Sequence, residues 1–285
     1  MNWLFYDYDH ISDHIIGEQQ CLEALAQIAF RYRKVKSAAH SLSRPSPPNP
    51  PPSRYICALC STLSQILKSE YEGLVTSTES KILSRDPSYV ASGSFVPLSS
   101  LRATFAEWDA PLAALASFMD QLTDTQFEMN LHAPGPLIDL LLARSKTGVH
   151  RISDIFSRLC SAVQRVWQTQ LTAFLVHGTL PSTDPLASSD TYVLLPGSVP
   201  SCVSSRSRDS IAYVGRAIAT VKKAKWEKQL PRELAVDHTR MLEGVLVENV
   251  HEFDKVVGVV RTGVSEWLWE NVLTQKDVED AVDSL

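Results

Sequence analysis

Apolar positions recur along this chain at steps of three, four and seven, the spacing that lines one face of an α-helix. The first stripe follows Asp13 through Ile15, Leu22, Leu25, Ala29, Tyr32 and Val35 and predicts a helix of several turns. Arg31, Arg33, Lys34 and Lys36 stand at its far end, where cations answer the negative pole of the helix dipole. The run from Arg44 to Ser53 is dominated by proline. Proline fixes φ and donates no backbone hydrogen bond, so this segment is expected to be an extended linker, 44–53.

Ser53 has the chemistry of an N-cap for a stripe carrying Ile56, Leu59, Leu63, Ile66, Leu67, Leu74 and Ile82. Asp86-Pro87 ends that helix, and Gly73 is its weak point. Leu98, Leu101, Phe105 and Trp108 start another stripe, which Leu112, Leu115, Met119 and Leu122 resume beyond Pro111, so two helical pieces meeting at a proline are expected. A connector from Thr123 to Gly135, a short helix from Pro136 to Arg144 and a long one from about Ser153 to Val176 follow, with Gly178 in the position that ends helices. Thr179 to Arg208 is rich in Ser, Pro, Thr and Asp and predicts a long surface loop, 179–208. Ile211, Val214, Ile218 and Val221 restore the helical step, and Lys222, Lys223 and Lys225 close that helix. From Leu234 through Met241, Val245, Val250, Phe253, Val257, Val260, Val264 and Trp267 to Trp269, Val272 and Leu273 the spacing stays at three and four, which predicts helix despite the valines.

Composition narrows the class. The 285 residues are 44% hydrophobic and 21% charged, enough for a sizeable core. A net charge of -5, from 27 basic and 32 acidic residues, disfavours a nucleic-acid partner. The odd set Cys21, Cys57, Cys60, Cys160 and Cys202, with no glycosylation sequon, argues for a reducing compartment over a disulfide scaffold. The start, Met1 to Asp9, is aromatic and acidic, unlike a signal peptide, and no apolar run suggests a membrane span.

Candidate chemistry is sparse. Cys57 and Cys60 have C-x-x-C spacing, but on a helix they share the face of Leu63, and no second ligand pair follows, so they read as structural thiols and no metal site is expected. His251-Glu252 opens like a zinc-protease motif and lacks the second histidine. His177 reads as a response to a helix end. Trp226 among Lys222, Lys223, Lys225 and Lys228 reads as a solvated helix end. Phosphate-cradling glycine loops and nucleophile elbows are missing from the sequence, so neither a cofactor nor enzymatic activity is expected.

Three blocks carry a family resemblance. Val166-Trp167-Gln168-Thr169-Gln170-Leu171-Thr172-Ala173-Phe174-Leu175-Val176-His177-Gly178-Thr179-Leu180 resembles the close of a trunk helix in the gamma-tubulin complex component family. Leu195-Pro196-Gly197-Ser198-Val199-Pro200 and Ile211-Ala212-Tyr213-Val214-Gly215-Arg216-Ala217-Ile218 resemble the stretch that follows it. Segments Glu79 to Val90, Phe95 to Leu101 and Glu266 to Trp269 are similar to component 4 of that complex. In place of the family's acidic and aromatic motif after the H-G-x-L corner, this chain has the Ser- and Pro-rich run Pro181 to Asp190.

The resemblance implies an all-α fold, an elongated stack of helical bundles, corresponding over 1–285 to the family's N-terminal GRIP-type domain, with the C-terminal gamma-tubulin-binding domain absent. It further implies a structural subunit that meets other gamma-tubulin complex components side by side, and gamma-tubulin through the complex. Microtubule nucleation and a place in the cytoplasm at a microtubule organizing center, spindle pole body or centrosome follow from the same resemblance. A generic helical adaptor or tethering protein is the alternative. Trp108, Phe118, Trp167, Phe174, Trp267 and Trp269 are available for cores or for a partner face, and Trp267 with Trp269 is the best candidate partner interface.

Overall fold

The computed structural model describes residues 6–44, 52–90, 95–124, 133–223 and 230–271. Its elements are α1 (Tyr6–Ser43), α2 (Arg54–Ile66), a π-helical turn (Leu67–Glu72), α3 (Gly73–Leu83), α4 (Leu98–Ala106), α5 (Asp109–Thr123), α6 (Pro134–Ser145), α7 (His150–His177), α8 (Ser205–Lys223), α9 (Arg232–Glu243) and α10 (Val250–Asn271). The fold is all-α, as expected: the described residues hold no strand, only one isolated antiparallel bridge between Ala187 and Leu194. Most of the proline linker, Trp226 with Lys225 and Lys228, and Val272 with Leu273 lie outside the described residues. The chain divides into two compact units. The first takes the described parts of Met1–Pro52, Cys60–Glu128 and Thr147–Ile155; the second takes those of Ser53–Leu59, Met129–Lys146 and Phe156–Leu285.

In the first unit α1 packs along α5 and α4. Its buried line is Ile28, Val35 and Ala39, while Leu22, part of the expected stripe, is 54% exposed. Over so long a helix the inward face is set by where α4 and α5 lie, and it follows only part of the apolar spacing. The basic cluster also has a different cause from the one expected. Because α1 runs on to Ser43, these residues lie inside the helix, and three of the four pair across to neighbours: Arg31 with Asp109 at 2.5 Å, Lys34 with Asp120 at 2.7 Å and Lys36 with Glu72 at 2.8 Å. Such exposed pairs each contribute about 0–1 kcal/mol, so they orient α1 more than they hold it.

The π-helical turn falls just before Gly73, where the sequence has its weak helix former. It aims Tyr71 inward against Tyr32 (4.7 Å between ring centroids) and edge-on to Trp108 (5.5 Å) and Phe105 (6.3 Å). Trp108 is fully buried, and the Arg151 guanidinium covers its ring at 4.3 Å while reaching Glu107 at 2.8 Å. Pro111 lies in the first turn of α5, where a missing N–H costs nothing, and the chain bends ahead of it at Glu107-Trp108.

In the second unit Ser53 is the N-cap expected of it: its Oγ accepts from the Tyr55 backbone N–H at 3.3 Å. The unit's core is built from Trp167, Leu171, Phe174, Ile211, Val214, Phe253, Val257, Val260 and Val264, all buried. Burying a side chain of this kind contributes about 1.5–3 kcal/mol, so this face outweighs the polar terms. The final apolar stripe is not one helix. It breaks at Gly244–Asn249 into α9 and α10, because the connecting backbone is captured from α7: Gln168 Nε2 donates to the Val245 carbonyl at 2.5 Å. Val247 is buried beneath the turn.

Candidate functional site

The segment between α7 and α8 is packed, in contrast to the expected surface loop. Leu186, Ala187, Ser198 and Val203 are buried. Ser188 N–H donates to Val193 O at 2.8 Å and Leu195 N–H to Leu186 O at 2.9 Å, closing a small hairpin. Tyr192 and Asp184 take left-handed backbone angles, φ 54 and φ 52, at its turns. Trp167 Nε1 donates to the Ser198 carbonyl at 2.9 Å, Ser201 N–H to the Asp139 carboxylate at 3.0 Å, and the Arg208 guanidinium to the Pro200 carbonyl at 2.9 Å. Helix α8 also starts earlier than its apolar spacing indicates, at Ser205, with Ser204 Oγ accepting from Ser207 N–H at 3.1 Å.

These contacts bring the sequence blocks together. Gly178 ends α7 in the left-handed region, φ +56, with its N–H on the Phe174 carbonyl at 3.1 Å. A Cβ there would lie 2.7 Å from the Ala219 backbone nitrogen of α8. Gly215 faces the Phe174 ring so closely that any Cβ would overlap it. Gly135 lets α6 approach the Leu195–Pro200 block, its N–H bonding the Gly197 carbonyl at 2.8 Å and its missing Cβ leaving room for Val199 O. The blocks thus build a corner in which α6, α7 and α8 are fixed by glycine contacts.

That corner carries no reactive group. Cys57 and Cys60 lie on α2, Cys60 buried. Burial pushes the Cys160 thiol up to about 12, where it stays protonated and inert. No group of acidic, histidine and cysteine side chains able to hold a metal occurs among the described residues. No described helix is long and apolar enough to cross a membrane.

The aromatic residues separate cleanly. Trp108, Phe118, Trp167 and Phe174 are core, and Trp167 sits 5.9 Å from Phe253 between ring centroids. Trp267 is 5% exposed and belongs to the interior of its unit, whereas Trp269, two positions on, is 66% exposed. Spacing alone could not separate them, since both lie in one short aromatic run. Leu22 and Phe30 of α1, the latter 66% exposed, are further uncovered apolar side chains that helical spacing did not single out as surface.

The described residues thus form an all-α protein whose shared sequence blocks take part in its packing. Residues 6–276 match the family model described as gamma tubulin complex component N-terminal. No curated protein sequence matches the chain significantly. The chain belongs to the gamma-tubulin complex component family, through that family's N-terminal domain. Membership carries the role of a structural scaffold subunit of the gamma-tubulin complex, the cytoskeletal assembly concerned with microtubule nucleation.

Proposed function

We propose that this chain supports the lateral assembly of gamma-tubulin complex components, in the manner of component 4, and so promotes microtubule nucleation at a spindle pole body or centrosome. The observation that carries the proposal is the family match over 6–276, on a fold in which the block closing α7 packs against α8 through Gly178 and Gly215. Packed helices suit side-by-side contacts, where fixed geometry sets the spacing of subunits. It acts by binding, without catalysis. Its partners are the other components, with gamma-tubulin reached through the complex. Exposed Trp269 is the aromatic anchor of the contact, and Trp267 fixes the helix behind it from the core.

Affinity purification of the tagged full chain from cell extract is the test. Recovery of gamma-tubulin complex components is expected, and Trp269→Asp should lower it several-fold with the fold intact. Folded wild-type chain that recovers none of them would sink the proposal, and recovery of membrane-coat proteins instead would favour the adaptor alternative.

A further inference from the structure

A groove runs between α8 and α10 within the second unit. It consists of two contiguous cavities of about 340 and 390 Å³ that share Arg206, Ser210 and Gly258. The groove exists because its floor is made of small residues: Ser207 and Ser210 from α8, and Gly258, where an added Cβ would meet nothing within 4 Å. From His251 to Glu266 it follows α10 for about 22 Å at 1.5 Å per residue.

Its charges are unevenly satisfied. Asp254, one of two acidic residues in the lining with Glu266, accepts on its Oδ1 from Ser204 Oγ at 2.8 Å and Ser207 Oγ at 2.6 Å, which ties that oxygen to α8 and the residue before it. Arg261 bonds the Ser210 hydroxyl at 3.2 Å and stacks on Tyr213 at 5.3 Å. Among the described residues neither it nor Arg206 nor Lys255 has a carboxylate partner, in contrast to Arg31, Lys34, Lys36 and Arg151. Arg206 and Lys255 are exposed at the rim. Three cations without an ion-pair partner among the described residues, Arg206, Lys255 and Arg261, therefore outnumber the two lining carboxylates, Asp254 and Glu266, along an open, small-residue trough on a chain whose net charge is -5.

We propose that this groove is a docking site for an acidic segment of a partner protein, bound extended with its carboxylates on Arg206, Lys255 and Arg261. At about 3.3 Å per residue, roughly six or seven residues span the trough. The small floor admits a peptide backbone where larger side chains would exclude it, and the cations select its charge. The proposal stands on the groove alone and does not depend on membership of the gamma-tubulin complex.

Fluorescein-labelled hexaglutamate, titrated with the purified full chain at about 50 mM salt and followed by anisotropy, is the probe, with hexaglutamine as control. Hexaglutamate should bind and hexaglutamine should not. Arg206→Glu combined with Lys255→Glu should weaken binding about tenfold or more. Gly258→Leu, which enters open space and changes no charge, should weaken it to a similar extent. Arg216→Glu, on an exposed face of α8 outside the groove, should leave it within about twofold. Absence of hexaglutamate binding overturns the proposal, as does full binding by the groove-filled variant or an equal loss from Arg216→Glu.

Discussion

His238 lies buried in α9 against Gly263 of α10, with its Nε2 3.0 Å from where a Gly263 Cβ would stand. Its Nδ1 has no hydrogen-bond partner among the described residues, and burial holds its pKa below the ordinary histidine value, a larger effect than the opposing pull of Asp237. The native state therefore keeps the ring neutral. Once unfolded, it takes up a proton near pH 6.5, so acidification favours the unfolded chain. The contribution of His238 to stability is complete above that pH and is lost as pH falls through it toward the depressed native value. Thermal melts from pH 8 to pH 5 should show stability falling in this window, and His238→Gln should flatten the slope. An unchanged slope in the variant would assign the acid sensitivity elsewhere. No apolar spacing marks this residue; only the close approach of Gly263 reveals why a histidine is tolerated there.

Helix-to-helix contacts depend most on glycine. Alanine is the better helix former by about 1 kcal/mol, so Gly215→Ala would stabilise an isolated α8. In the packed corner the added methyl collides with the Phe174 ring, and overpacking of this kind costs about 1–3 kcal/mol. Collision should win, and denaturant unfolding should show a net loss of about 0–2 kcal/mol, with a gain contradicting the corner. The helices themselves were legible in the apolar spacing: Ser53 caps α2 and Gly178 ends α7 where chain chemistry places them. What spacing could not supply was long-range capture of backbone. The stripe from Leu234 to Trp267 keeps helical steps through Gly244–Asn249, and the break comes from Gln168 holding the Val245 carbonyl. The segment after Gly178 looked like a polar loop because its anchors are backbone atoms met by Trp167, Asp139 and Arg208, residues distant in sequence or committed to helices. In the aromatic run near the end of α10, which spacing marks as a whole, only burial distinguishes the inward Trp267 from the outward Trp269.

Taken as a whole, the chain puts its sequence-family blocks into packing and leaves its binding potential on the outside. The dispersed ion pairs of the first unit orient helices without adding much stability. A scaffold of this kind is defined by what it joins, so its function is a property of the complex. The central claim is that this chain is a working subunit of the gamma-tubulin complex, and sedimentation tests it most directly. Cell extract containing the tagged full chain is fractionated on a density gradient and probed for the tag and for gamma-tubulin. The account predicts that the two peak together, in fractions far heavier than a monomer. A folded chain that sediments alone as a monomer, while gamma-tubulin remains in its large complex, would contradict it.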